Sequence, residues 1–216
     1  MAIDVTSFGR RQLIYAGAAL LSALLPGRAA RGLPSAAAAE AVVQRLVEQV
    51  WQLLAERGNA PDVDRDHLLS VLDEGTDLTL LGRLVLGRYW RDASPGQRAE
   101  YLQLFRRYML QTFIQRLRQY AGTDKSHPGE RFQIITSRSV GERDILVQSR
   151  VAPPTSQPLR VDWRLRERPG EPVIIDLIVE GISLLVTQRS EFAAVLERGG
   201  VEGLLAELRA RVTQPA

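Results

Sequence analysis

The chain has no cysteine, which removes disulfides, thiolate metal sites and thiol nucleophiles together and leaves an apolar core to hold the fold. Histidine is scarce. His67 and His127 are the two present, and neither falls in a metal-ligand spacing such as His-Glu-x-x-His. Lysine occurs once, as Lys125. Nearly all positive charge is therefore arginine, which the base composition of a genome explains better than a phosphate-binding role does, and no function follows from it. Apolar runs are also limited. Only Leu13–Leu25, just after Arg10 and Arg11, is long and uninterrupted enough to suggest a hydrophobic segment. That run suits a signal-peptide core and falls short of the roughly 20 residues that cross a bilayer.

Export is the expectation that follows, with residues 1–39 as a cleaved signal and a periplasmic destination. Small residues suited to signal peptidase occur around Arg28–Ala30 and again at Ala36–Ala39, and the second position is preferred. The hexapeptide Gly9-Arg10-Arg11-Gln12-Leu13-Ile14 also reads as a twin-arginine signal, which carries an already folded protein. Paired arginines occur in ordinary signals too, and an uncleaved anchor is the remaining alternative. The segment also explains the charge. The net +3 of the whole chain includes Arg10, Arg11, Arg28 and Arg31 against Asp4 alone, which leaves 24 basic and 24 acidic groups in residues 40–216. No basic tract with interleaved aromatics remains, so a nucleic-acid partner is not expected. Residues 40–216 suit one domain with room for a substantial core.

The periodicities run helices, then strands, then helices. From Ala39 to Arg57 apolar residues recur at three- and four-residue steps, through Val42, Val43, Leu46, Val50 and Leu53, before Gly58-Asn59, as in an amphipathic helix. A second helix is expected near Asp64 with Leu68, Leu69, Val71 and Leu72, and a third over Leu78–Trp90, apolar around most of its circumference. Ser94, Pro95 and Gln97 read as N-cap, first helical residue and capping-box partner of a fourth. That helix extends to about Ala121. Its apolar side chains from Tyr101 and Leu102 through Leu117 and Tyr120 cover more than half of the wheel, too broad for one neighbour to bury. Either it is a central core helix, or part of its face lines a cavity for an apolar ligand.

Beyond Gly129 the period becomes two. Phe132, Ile134 and Thr136 alternate with Gln133, Ile135 and Ser137; Ile145, Val147 and Ser149 follow; then Leu159, Val161, Trp163 and Leu165 alternate with Arg160, Asp162, Arg164 and Arg166. A fourth strand sets Val173, Ile175, Leu177 and Val179 against Ile174, Asp176, Ile178 and Glu180. Turn-rich connections make these an antiparallel meander with one dry face. Two closing helices, Thr187–Arg198 and Val201–Val212, are divided by Gly199-Gly200. The expected fold is α+β: a curved antiparallel sheet of about four strands packed against a helical layer.

Catalytic patterns fail one by one. Asp62, Asp64 and Asp66 imitate the start of a calcium loop, but His67 stands where the glycine is needed and Asp73 where a bidentate glutamate belongs. Helix capping explains them better. Ser183 follows Gly181, yet Leu185 replaces the second glycine of a nucleophile elbow. Asp176 and Glu180 share a strand face but lie roughly 13 Å apart, too far for a direct acid/base pair. Glu180 reads as orienting the turn at Gly181. Neither a catalytic residue nor a metal site nor a cofactor is expected, and the chain is read as no enzyme.

Two blocks carry a resemblance. LGRLVLGRYWRDASPGQRAEYLQLFRRYMLQTFIQRLRQY spans Leu81–Tyr120, and VIIDLIVEGISLLVTQRSEF spans Val173–Phe192, followed by Gly200–Leu205. In order and spacing, from about His67 to the C-terminus, they resemble the MlaC family of periplasmic phospholipid shuttles, also known as toluene-tolerance proteins. The resemblance implies a hydrophobic cavity between sheet and helices and makes the Val-Glu-Gly turn at Glu180 a hallmark. It implies partners as well: an inner-membrane ABC transporter with its MCE-domain protein, and an outer-membrane lipoprotein complex. Members commonly carry a tryptophan at the start of the last strand, whereas Pro169-Gly170-Glu171-Pro172 here leads into Val173. That leaves the pocket rim and cargo open.

A carrier of this kind makes physical sense of the composition. A sixteen-carbon chain in water costs on the order of 12 kcal/mol at about 0.8 kcal/mol per methylene, so lipids need a sheath to cross an aqueous space. The expected helical wall is Leu86, Tyr89 and Trp90 with Tyr101, Phe105, Tyr108, Met109 and Phe113. The expected sheet wall is Val147, Val161 and Trp163 with Ile175, Leu177 and Val179. Any of these residues could equally be plain core. Tyrosines near the mouth could hydrogen-bond head-group oxygens, and Arg83, Arg88 and Arg91 are head-group candidates set against a solvated helix face. The cargo is expected to be a phospholipid. A hopanoid-type polycyclic lipid, a ligand-free periplasmic adaptor and a secreted enzyme of cystatin- or NTF2-like type are the alternatives. A monomer is expected.

Overall fold

The Oγ of Ser35 accepts from the backbone N of Ala38 at 3.2 Å, capping the first helix where the alanine run begins. In the computed structural model, helix α1 occupies Ala36–Arg57, three residues longer at its start than the periodicity suggests. The structure describes residues 35–57, 65–120, 131–152 and 157–213, with 54–57, 65 and 116–120 in backbone only. The expected signal up to residue 34, Asp62, Asp64 and His127 lie outside the described residues, as do the side chains of Leu117 and Tyr120.

Helix α2 (Arg65–Gly75) lies against α1. The Asp77 carboxylate accepts from the Leu80 backbone N at 2.8 Å and starts α3, Leu78–Leu86. The expected continuation to Trp90 does not occur. Gly87 takes φ of +59°, a left-handed conformation open to glycine, and its N–H returns to the Arg83 carbonyl at 3.0 Å. The chain then turns into the short α4, Tyr89–Asp92. Ser94 caps α5 (Pro95–Tyr120) as expected: Gln97 N donates to Ser94 Oγ at 3.2 Å, and Ser94 N donates to Gln97 Oε1 at 2.8 Å.

The sheet is an antiparallel meander in the order β1 (Phe132–Val140), β2 (Asp144–Val151), β3 (Leu159–Arg166), β4 (Val173–Val179) and β5 (Ile182–Ser183). Together with the helices it makes the fold α+β, with one short strand more than the alternation showed. Two bulges correct the expected faces. In β1, Ile134 stands opposite Ser149 and Thr136 opposite Gln148, so Ile135 is extra and Ser137 joins the face of Ile134. Ile135 is left 54% exposed. In β4, Ile174 pairs with Leu165 and Asp176 with Arg164, so Ile175 is extra and Val173 shares the face of Arg166, not that of Leu177.

A two-residue turn joins β4 to β5, with Glu180 at φ +48° and Gly181 at +82°. Both central residues of a type I′ turn need positive φ. The Glu180 carboxylate accepts from Arg160 N while Glu180 N donates to Arg160 O at 3.0 Å, so this side chain fixes the turn to β3. Helix α6, Leu184–Thr213, follows and is broken at Gly200, where φ is +61°.

Side chains bury themselves in two clusters. The first joins Val42, Val43 and Leu46 of α1, Leu68, Val71 and Leu72 of α2, Leu110 and Ile114 of α5, and Ile145, Val147, Leu165 and Ile174 of the sheet. The second joins Val85 and Leu86 of α3, Tyr101, Leu104 and Phe105 of α5, and Phe192, Leu196, Leu204, Leu205 and Leu208 of α6. Both clusters lie within one compact unit. Helix α5 feeds both, which is why its apolar face is so broad.

Candidate functional site

Strand register decides which sheet residues share a face. Ile145, Val147 and Ser149 on β2 stand opposite Leu165, Trp163 and Val161 on β3, and Trp163 and Val161 in turn stand opposite Leu177 and Val179 on β4. Ile182 on β5 extends the last row beside Val179. Helices α1 and α2 cover one end of this face, where Ile145, Val147, Leu165 and Ile174 are buried. The other end is drier in sequence than in structure. Trp163, Leu177 and Val179 are only half-buried, and Ile182 is 63% exposed. An apolar row left partly open to water is a cost that a ligand or partner can remove.

Helix α5 shows the same border. Tyr101, Phe105 and Tyr108 turn toward α3 and α6, where Tyr101 and Phe105 stack at 5.6 Å and Tyr108 meets Phe192 at 5.9 Å. Leu110 and Ile114 point to the first cluster. At 100° per residue, Leu102, Met109 and Phe113 fall in the strip between these directions, and all three are half-buried. Met109 packs on the second cluster and Phe113 on the first.

The expected wall residues therefore divide. Trp163 and Phe113, with Val147, belong to the first cluster or its flank, while Leu86, Tyr89, Trp90, Tyr101, Phe105, Tyr108 and Met109 belong to the second or its flank. Val161 and Ile175 are buried. Full burial makes Leu86, Tyr101, Phe105 and Val147 core side chains as the chain stands. The half-buried set is Tyr89 and Trp90 on α4, Tyr108, Met109 and Phe113 on α5, and Trp163, Leu177 and Val179 on the sheet, of which Met109 and Phe113 lie on the border strip of α5.

Trp163 is anchored at its polar end. Its Nε1 donates to Ser149 Oγ at 2.9 Å, and that hydroxyl donates to the Val161 carbonyl at 2.7 Å. Phe132 meets its ring edge-to-face at 6.3 Å. Tyr101 is anchored too, donating to the Gly82 carbonyl at 3.0 Å, and burial pushes its phenol well above the ordinary tyrosine range.

The three head-group arginines go to different places. Arg83 lies over the Trp90 ring at 5.3 Å, with Arg98 over the same ring at 5.4 Å. Arg88 lies over Tyr89 at 4.9 Å and donates from Nη2 to its hydroxyl at 2.9 Å. Arg91 is exposed, and its carbonyl accepts from Arg98 Nη2 at 3.1 Å. Sequence reasoning missed a second polar group at the end of α6. Arg211 Nη1 donates to the Tyr108 hydroxyl at 3.3 Å, the same hydroxyl meets Gln188 Oε1 at 3.1 Å, and Arg211 is also paired with Glu207. The spacing of Glu207 and Arg211 on one helix was the available signal; Gln188 lies too far off in sequence to have given one.

The outer sheet face carries paired charges beside the buried Leu146 and Val173. Asp144 receives Arg166 Nε at 2.8 Å and Arg164 Nε at 2.8 Å. Burial opposes ionisation of this carboxyl, but the two guanidiniums outweigh it and hold its pKa below the ordinary value. Asp176 accepts from Ser183 Oγ at 2.6 Å and from Leu185 N at 2.9 Å, capping α6 from the strand. Both interactions are structural. A depression of about 460 Å³ between α2 and α5 is lined by Asp66, Leu69, Ser70, Asp73, Glu74 and Arg106, with Arg106 paired to Asp73. Among the described residues no cluster of three or more His, Asp or Glu could hold a metal ion, and no helix is long and apolar enough to cross a membrane.

Comparison with known proteins agrees with this arrangement. A family model described as MlaC protein matches residues 40–210. The Haemophilus influenzae protein named intermembrane phospholipid transport system binding protein MlaC is 23% identical over 145 residues, which is 64% of this chain and 64% of that relative. The match thus spans just under two-thirds of the relative's length. A phospholipid-binding protein from Ralstonia solanacearum, solved in complex with a phospholipid, superposes with a TM-score of 0.66 at 21% identity, covering 84% of this chain and 98% of that one. At that identity the likeness establishes the fold.

Proposed function

Because the chain belongs to the MlaC family, we propose that it is a periplasmic lipid carrier that sheathes the acyl chains of a phospholipid and shuttles it between membranes. The observation that carries this reading is the half-buried apolar row of Trp163, Leu177 and Val179, matched by the half-buried strip of Met109 and Phe113 on α5. Acyl chains laid on these surfaces complete a burial that the protein leaves unfinished. The names of the two relatives, phospholipid transport and phospholipid binding, support the same cargo.

Tyr108 and Arg211 are the groups we assign to the head-group end in place of Arg83, Arg88 and Arg91, since Arg83 is stacked on Trp90 and Arg88 is engaged with Tyr89. A phosphate oxygen can accept from the guanidinium, and from the phenol when its proton turns away from Gln188 Oε1. Binding and release need no bond to break, and we read the chain as a carrier without catalysis. Its exchange partners in this reading are an inner-membrane ABC transporter with its MCE-domain protein and an outer-membrane lipoprotein complex. Residues before Ser35 supply the export signal. A cut near Ala30 preserves the Ser35 cap and the buried Ala39, whereas a cut after Ala39 removes both.

A vesicle-to-vesicle assay tests the function. Donor liposomes carry a self-quenched fluorescent phospholipid, and the mature protein is expected to speed its appearance in acceptors in proportion to protein concentration. Transfer no faster than without protein would contradict the carrier reading.

A further inference from the structure

A pocket of about 230 Å³ lies between α3–α4 and α6, floored by Val85, Leu86, Ala193 and Leu196 and rimmed by Arg88, Tyr89 and Arg189. Its floor belongs to the second core cluster or adjoins it. Its volume is below the roughly 300–1,000 Å³ of pockets that enclose a small ligand whole, so a two-chain lipid does not fit. One bulky side chain does.

The rim is positive. Among the described residues neither Arg88 nor Arg189 forms an ion pair with a carboxylate; Arg88 donates to the Tyr89 hydroxyl, and Glu197 and Asp92 act on it from beyond ion-pair distance. Gly87 makes room for the second guanidinium, since a Cβ at that position would stand 2.9 Å from Arg189 Nη2. Val186, Arg189 and Ala193 fall on one face of α6 at helical spacing. Val186 is 59% exposed and Ile182, just before the helix, 63% exposed. Among the described residues, two of the three large exposed aliphatics thus sit at or just before the start of the helix that rims the pocket. Exposed aliphatics beside unpaired arginines around an apolar socket have the composition of a docking surface.

We propose that this pocket docks an acidic segment of a partner protein, with one bulky apolar side chain entering between α3 and α6 and flanking carboxylates meeting Arg88 and Arg189. Charge complementarity selects the partner: two guanidiniums that form no ion pair among the described residues favour an acidic segment. The proposal rests on the carrier reading only in supposing that cargo is handed to another protein.

The test places a photo-crosslinking amino acid at Val186 of the full chain in intact cells and sequences the adduct by mass spectrometry. The expected adduct is a protein segment with acidic residues beside a large apolar one. Arg88→Glu with Arg189→Glu is expected to lower its yield about tenfold or more, and Arg189→Gln alone to lower it less, with melting temperature and co-purified lipid unchanged. A lipid adduct alone, a segment lacking acids, no adduct, or a yield indifferent to charge reversal would overturn the proposal. Loss of bound lipid in the double variant would also overturn it, because the pocket would then belong to the cargo site. An adduct of the expected kind from a protein that binds no lipid would leave docking standing and remove the carrier reading instead.

Discussion

Trp163 and Ser149 are joined across β3 and β2 by a 2.9 Å hydrogen bond from the indole Nε1 to the hydroxyl, which itself donates to the Val161 carbonyl. The ring is thereby held at a fixed angle on the half-covered end of the sheet, its polar atom satisfied within the protein and its apolar surface free to meet a ligand. Ser149→Ala leaves the part-buried indole N–H without this partner and is expected to cost about 1 kcal/mol. Denaturant unfolding measures it. Phospholipid brominated in the acyl chains should quench the fluorescence of wild-type protein and lose most of that quenching in Trp163→Phe, since Trp51 and Trp90 are not part of this row.

Asp176 is a strand residue that caps a helix. Its two oxygens take the Ser183 hydroxyl and the Leu185 backbone N–H, so Asp176→Ala leaves the Leu185 N–H without its acceptor and frees the Ser183 hydroxyl, which still caps the Val186 N–H. A loss of about 1–2 kcal/mol is expected, as for other cap deletions, with a lower melting temperature and faster amide exchange in the first turn of α6.

Asp144 sets the acid limit of the outer sheet face. Its folded pKa is lowered by Arg166 and Arg164 against the opposing effect of burial. A depressed carboxyl contributes stability that is complete above its unfolded value, about 3.9, and is lost as pH falls through the folded one. Wild-type stability should therefore fall below about pH 4. Asp144→Asn should be less stable at neutral pH and show a flatter acid limb in denaturant midpoints taken across that range.

Processing of the N-terminus follows from the first turn of α1. Ser35 caps that turn and Ala39 is wholly buried in the first cluster, so the secreted protein should begin upstream of Ser35. N-terminal sequencing of protein from the periplasm reads this directly, and a start at Glu40 would contradict it.

Much of this fold is legible from residue pattern because the deciding interactions are local. The Ser94–Gln97 capping box, the break at Gly200 and the meander of short strands each depend on residues a few positions apart. What pattern misreads is equally specific. Alternation through Ile134, Ile135 and Thr136 carries no mark of the bulge, because the extra residue is defined by its partner strand. The run Leu78–Trp90 is apolar on both sides of Gly87, so periodicity does not see that the glycine adopts positive φ. The site shares this limit. That Tyr101, Phe105, Met109 and Phe113 are apolar and share a helix is plain in sequence; that the first two are buried against α6 while the last two stand at a border depends on where two clusters meet. Arg189 comes to Gly87 from more than a hundred residues away, and nothing in either segment announces the other.

The most direct test of the central claim is native mass spectrometry of the mature protein purified gently from the periplasm, followed by lipid extraction. A bound two-chain phospholipid, seen as a mass shift and recovered in the extract, is the predicted result, and a polycyclic lipid would keep the sheath while changing its cargo. A clean apo mass that stays apo after incubation with liposomes would contradict the account.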